Sequence, residues 1–280
     1  MIFNNTLSLG FSPCPNDTFI FYGLVHGKID CDDLIFADPL LEDVEQLNNW
    51  AVSGKLDVTK LSYHALAHIL DEYCLLRTGG ALGRGCGPLL ITRDKNKKDV
   101  SQLKRIAIPG KLTTAALLLQ MFLPRSCELI EMRFDYIMGA VGRGEVDAGV
   151  IIHESRFTYE KEGFYCLQDL GEWWEETTGM PIPLGGIAAK RSLGYEKLKN
   201  IEEAIGHSVN FAFQHPSSCL SYIKNHSQEL EKEVVESHIE LYVNDFSRDL
   251  GEEGRAAVEM FIKKGRRSGA LPGSDKSIFI

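Results

Sequence analysis

From residue 7 onward, short apolar runs alternate with amphipathic stretches. "LSLGF" (7–11), "DLIFADP" (33–39), "LDVTKLS" (56–62) and "YCLLRTG" (73–79) have the length and apolar content of strands. Between them, "DTFIFYGLVHG" (17–27) and "LEDVEQLNNWAVSG" (41–54), closed by Gly27 and Gly54, and "YHALAHIL" (63–70) space their apolar positions as helices do. This alternation predicts mostly parallel strands joined by helical crossovers.

A second series follows the glycine-rich segment "TGGALGRGCGPLLITR" (78–93). Strands are expected at "RIAIPG" (105–110), "ELIEMR" (128–133) and "VDAGVIIH" (146–153), with helices at "TTAALLLQMFL" (113–123) and "DYIMGAVGRG" (135–144). From Glu196 to Gly269 the pattern is helix upon helix, a tail expected to wrap back over the first lobe. "GPLLITR" and "PLGGIAAKR" are the two apolar crossings. Two crossings make the second lobe an insertion: residues 1–90 with 188–280 form the first α/β lobe and its helical tail, and residues 91–187 form the second. A hinged cleft between the lobes is expected.

Composition narrows the function classes. The chain has 280 residues, 44% of them hydrophobic, enough to bury a substantial core. Its net charge of -9, with no basic run longer than "KNKK", argues against a nucleic-acid partner. The seven cysteines include no C-x-x-C pair, a pattern of free thiols in a reducing compartment. No signal-peptide pattern opens the chain, and no apolar run approaches the ~18 residues of a membrane span. A cytoplasmic protein without a membrane partner is expected, with homo-oligomerisation left open.

In an open parallel sheet, ligands bind beyond the carboxyl ends of the strands. That rule selects Ser12-Pro13 with Asn16 and Asp17, then Lys60-Leu61-Ser62, Lys111 to Ala115, and His153-Glu154-Ser155, two places from each lobe. Prolines 13 and 15 stiffen the first corner, where Asn16 or Asp17 is expected to cap the following helix. Its plain reading is a rigid βα corner, and its functional reading a cleft wall. A helix opening on Thr113-Thr114 offers N–H groups and hydroxyls to a carboxylate or phosphate, although threonines there also serve as ordinary caps. Lys111 is not part of a Walker A loop, because the required upstream glycine is absent. Glycines 83, 85 and 87 fall as G-x-G-x-G, a turn or hinge. His64 and His68 share one helix face but lack the H-E-x-x-H signature, so no metal is assigned. His153 ends an apolar strand at the cleft mouth, where an imidazole can act as a general base or simply bond to a neighbouring loop. Glu154 and Arg156 are both candidates to orient it. Cys14 has no partner base that spacing can name.

Together, "FSPCPNDTFIFYGLVHGKI", "LEDVEQLN", "TKLSYHA", "GGALGRGCGPL", "IPGKLTTA", "GEVDAGVIIHESRFTY" and "YVNDFSRDLGEEG" resemble the 1,4-dihydroxy-6-naphthoate synthases of the futalosine route to menaquinone, up to about residue 254. The resemblance implies the two-lobed fold of type II periplasmic binding proteins, with a ligand cleft between α/β lobes. It implies a carbon-carbon lyase acting on the carboxylate cyclic dehypoxanthinyl futalosine without metal or organic cofactor. By the same resemblance His153 is the proton acceptor, and Lys60, Leu61, Ser62, Thr114 and Ala115 contact substrate, beside Thr113, Asn16 and Asp17 from the strand-end rule. A chorismate dehydratase-type lyase and a non-catalytic organic-anion binder are the alternatives.

Overall fold

The computed structural model describes residues 6–96, 99–123, 127–227 and 231–280. Residues 1–5, part of the N-terminal reading, and Lys97 and Lys98 of the basic run lie outside the described residues.

The chain begins with β1 (Thr6–Leu7), β2 (Leu9–Phe11), α1 (Pro15–Val25), β3 (Ile35–Phe36), β4 (Leu40–Leu41), α2 (Val44–Val52), β5 (Val58–Ser62), α3 (Tyr63–His68), β6 (Tyr73–Leu75) and β7 (Ala81–Gly83). It continues through β8 (Leu89–Thr92), β9 (Arg105–Ile108), α4 (Thr114–Phe122), β10 (Glu128–Glu131), α5 (Ile137–Gly142), β11 (Ala148–Ile151), α6 (Ser155–Thr158), β12 (Tyr165–Asp169) and α7 (Leu170–Thr178). The final part is β13 (Ile182–Lys190) followed by α8 (Tyr195–Gln214), α9 (Pro216–His226), α10 (Lys232–Tyr242), α11 (Asp245–Arg248) and α12 (Gly251–Arg267).

Two sheets result. One has the order β4-β2-β5-β13-β6, with β7 also paired to β13, and the other the order β10-β9-β11-β8-β12. The βαβ crossovers make β4-β2-β5 and β10-β9-β11 parallel, as the alternation predicts. The sheets are nevertheless mixed. The connecting strands β8 and β13 run antiparallel to their neighbours, because each brings the chain back from the opposite sheet. Leu89 and Leu90 already pair in the second sheet, and Ile182 to Ile187 in the first, so each crossing lies a little earlier than the 90/91 and 187/188 divisions.

Three local readings are corrected. "LSLGF" is two strands divided at Ser8, whose N–H and hydroxyl both donate to Asp57 Oδ2. The expected hinge at 83–87 includes the end of β7, since Ala81–Gly83 pairs along β13. Strand β12 is extra, added at the edge of the second sheet beside β8. At Gly87 any side chain would meet the Gly171 backbone at 2.3 Å, so the glycine tract permits close passage of the crossing beside α7.

Helix α1 is buried on almost every face because α8, α9 and α10 pack over it. That accounts for a helix apolar all round, "FIFYGLV". Phe11, Phe21, Ile205 and Ile223 form the apolar cluster beneath the helical tail. Another, with Leu66, Leu118, Trp174 and Phe261, runs through α3, α4, α7 and α12. These layers hold the strand ends facing each other.

Candidate active site

The ends of β2, β5, β9 and β11 converge on a cavity of about 720 Å³, measured out to its open mouth. Asn16, Asp17, Lys60, Leu61, Ser62, Thr113, Thr114, Ala115 and His153, drawn from all four places, line it together. Val44, Leu47, Ile152 and Leu184 make much of the remaining wall apolar.

Asp17 does not cap α1. The helix starts at Pro15 after Cys14, with no side-chain cap. Proline suits that first position because its missing N–H would have no helical partner there. Asp17 instead ties the corner together: Oδ2 accepts from Ser12 N (3.2 Å) and Oγ (2.8 Å), and Oδ1 accepts from Asn16 Nδ2 (2.8 Å). Lys60 Nζ reaches the same Oδ1 at 2.8 Å and donates also to Gly79 O at 3.0 Å. Lys60 is therefore answered by a buried carboxylate before any ligand arrives.

The facing wall is the start of α4. Thr113 caps the helix by accepting from Ala116 N at 3.2 Å, and its hydroxyl donates to Gly110 O at 2.8 Å. Thr114 Oγ accepts from Tyr63 N at 3.2 Å and donates to Leu184 O at 2.5 Å, binding the two sheets at this point. Both threonine hydroxyls are occupied. What the helix start leaves for an anion is the N–H groups of Thr114 and Ala115, which lack intrahelical partners. Ser62 adds a hydroxyl whose oxygen accepts from Asn48 Nδ2 at 3.2 Å, so its proton can point into the cavity. Glu45 holds the preceding loop from the other lobe, accepting from Leu112 N at 3.0 Å. Gly110, at φ 149°, makes room for that carboxylate, since a side chain there would meet Glu45 within 2.5 Å. Burial raises the Glu45 carboxyl pKa. Thr113 O lies 3.1 Å from His64 Nδ1, and burial lowers the His64 pKa to about 4.

His153 lies two residues beyond β11 in the left-handed region, φ 58°. A non-glycine residue at such an angle is strained, and such strain concentrates at functional sites. Neither expected neighbour orients its imidazole. Arg156 turns away to Gly87 O (2.6 Å), Gly85 O (2.9 Å) and the Asp169 carboxylate (2.6 Å). Glu154 approaches a different histidine. The group at His153 Nδ1 is the Cys14 sulfur, at 3.5 Å, with the Phe134 ring edge-on at 5.0 Å. Burial, reinforced by Glu154, raises the Cys14 pKa well above its ordinary value, which keeps it a thiol and makes it a poor nucleophile.

That second histidine is His238, which sequence reasoning missed; Tyr242 beside it opens the "YVNDFS" segment of the resemblance. Both come from α10 and line the cavity. His238 Nε2 lies 2.9 Å from Asn16 Oδ1, its Nδ1 3.8 Å from Glu154 Oε1, and its ring near-parallel to His153 at 6.2 Å. Burial, then the neighbouring His153, lowers its pKa well below the ordinary value. The available signal was Val234, His238 and Tyr242 at helical spacing, a polar residue on the buried face of "VVESHIELY". A second cavity of about 580 Å³ adjoins the first, sharing Val44 and His153 in its wall and adding Cys14, Glu42, Arg133 and Glu154. Among the described residues no cluster of three or more His, Cys, Asp or Glu offers a metal site.

The Thermus thermophilus 1,4-dihydroxy-6-naphthoate synthase is 48% identical over 274 residues, covering 98% of this chain and 99% of its own. The crystal structure of protein AF1704 from Archaeoglobus fulgidus is 34% identical with a TM-score of 0.89, covering 96% of this chain and 100% of its own. At 15% identity and a TM-score of 0.65, the Candida albicans CA3427 product, described as having the generic periplasmic binding protein fold, covers 96% of this chain and 92% of its own. The two-sheet architecture is thus a periplasmic-binding-protein-like fold. With a family model for menaquinone biosynthesis matching residues 7–267 and a near-full-length relative at 48% identity, the chain belongs to the menaquinone biosynthesis family.

Proposed function

We propose that the protein is a lyase that converts cyclic dehypoxanthinyl futalosine to 1,4-dihydroxy-6-naphthoate. The observation that carries this reading is one cavity, largely apolar, with a histidine on strained backbone at one wall and a helix start at another. Its apolar walls suit a bicyclic ring system, and free N–H groups at its end suit the ring's carboxylate.

In this reading the carboxylate docks on Thr114 N and Ala115 N while Ser62 donates to a substrate oxygen from the opposite lobe. Closure of the lobes removes water and strengthens these contacts. The Cys14 sulfur lies against His153 Nδ1, and with the ring proton on that nitrogen the Nε2 lone pair accepts the substrate's proton. His153 removes a substrate proton, the carbon-carbon bond to the sugar-derived part breaks, and aromatisation of the second ring drives the step.

The test is to incubate the purified protein with cyclic dehypoxanthinyl futalosine and follow the naphthoate by liquid chromatography and mass spectrometry. Wild type is expected to form product, and His153→Ala to lose ~10² to 10⁴ in kcat, the contribution of a general base. Substrate recovered intact from wild type overturns the function. Full turnover by a folded His153→Ala variant overturns the assignment of the base.

A further inference from the structure

His238 is fully buried, and only one of its ring nitrogens is engaged. Nε2 donates to Asn16 Oδ1 at 2.9 Å, and the Asn16 carboxamide is itself oriented by its donation to Asp17 Oδ1. Asp17 is in turn paired with Lys60. This chain of contacts places the ring proton on Nε2. Nδ1 therefore carries a lone pair. It has no hydrogen-bond partner and faces Glu154 Oε1 at 3.8 Å.

Two acceptors, an imidazole nitrogen and a carboxylate oxygen, thus stand beside His153 with no donor between them. Because burial keeps the His238 ring neutral, Nδ1 does not supply its own proton. A buried acceptor is satisfied only when a donor reaches it. Within the proposed substrate, the flat aromatic half carries its carboxylate toward α4, while the sugar-derived half carries several hydroxyls. His238 belongs to the first cavity, Glu154 to the second, and His153 to both. Hydroxyls donating to the two acceptors, one to each, lie at the wall that the cavities share, next to the base.

We propose that His238 Nδ1 and Glu154 form a seat for neighbouring hydroxyls of the polyhydroxylated half of the substrate, one donating to each acceptor. The seat holds the carbon skeleton with its breaking bond beside His153, and it excludes ligands that place an acceptor or an apolar group there. This inference rests on the functional reading above.

Two variants test it. His238→Phe removes the acceptor and retains a ring against Phe157 and Tyr242. Glu154→Gln leaves the Asn16 bond untouched and introduces an amide N–H that satisfies Nδ1 from within. Steady-state kinetics with cyclic dehypoxanthinyl futalosine are compared with calorimetric Kd values for 1,4-dihydroxy-6-naphthoate, which lacks the sugar-derived part. Each variant is expected to raise KM about three- to tenfold, the loss of one hydrogen bond, with the naphthoate Kd unchanged to within about twofold. Wild-type KM in both variants overturns the seat and leaves the function standing, as does an equal loss of naphthoate affinity, which signals damage to the whole cavity. A wild-type protein that leaves the substrate intact overturns the function and the seat with it.

Discussion

Removing one partner of the Lys60–Asp17 pair tests how the first corner is held. The two groups meet at 2.8 Å with 6% and 3% of their side chains exposed. At an effective dielectric constant of ~20 their attraction is about 6 kcal/mol, most of which is offset by the several kcal/mol that each ion loses in leaving water. The net contribution of the intact pair is therefore small. One-sided removal is different, because it leaves a buried charge alone, typically at a cost of ~3 to 5 kcal/mol. Lys60→Met leaves Asp17 with three donors, Ser12 N, Ser12 Oγ and Asn16 Nδ2, and is expected near ~3 kcal/mol. Asp17→Asn leaves the Lys60 ammonium with Gly79 O alone and turns an amide toward those donors, so it is expected near ~5 kcal/mol. In the double variant no charge is stranded, and its loss should fall short of the sum of the singles by ~3 kcal/mol or more. Urea unfolding followed by both circular dichroism and tryptophan fluorescence supplies the midpoints, with coincidence of the probes checking that one transition is observed. Additive losses, or single losses below ~1 kcal/mol, would refute the reasoning by showing that water already screens the pair.

Three further outcomes are expected. His153→Gly and His153→Ala both lack the imidazole, but glycine relieves the φ of 58° and should be more stable by about 1 kcal/mol; a thermal melt in which the glycine variant is no more stable contradicts this. Cys14→Ala should lower kcat about tenfold to a hundredfold at unchanged KM by freeing the His153 ring, with partial recovery in Cys14→Ser, and an unchanged kcat would show that the sulfur positions nothing. For His64, burial depresses the folded pKa to about 4 from 6.5, so the folded state binds fewer protons than the unfolded one. Stability is then fully present above pH 6.5 and falls by up to about 3 kcal/mol as pH drops toward 4. His68 and His238 shift in the same direction, while the raised Glu45 carboxyl acts in the opposite sense. His64→Gln should flatten the slope of urea midpoint against pH, and a slope equal to that of wild type would assign the acid sensitivity elsewhere.

The strand ends were legible because each depends on local pattern. A short apolar run followed by a polar corner and an amphipathic stretch marks a βα turn whether or not its partner strands are known, and Phe11, Ser62, Ile108 and Ile151 each close such a run. Convergence of those ends follows from the rule for parallel sheets. Roles within the corners were less legible. Asn16 and Asp17 have the side chains of helix caps, and only the approach of Lys60 and His238 from distant elements draws them elsewhere.

The amino-acid order by itself determined the βα alternation, the helical tail and the set of strand-end residues that line the cavity, because these rest on periodicity and on backbone geometry within a few residues. Tertiary structure alone decided which groups meet: Cys14 rather than Glu154 or Arg156 at His153, Lys60 spent on Asp17, and His238 brought from α10 to Asn16, 222 positions away. Hydrogen bonds and ion pairs act over about 3 Å and carry no trace of sequence separation, so a contact between remote elements leaves no periodic mark for the sequence to display.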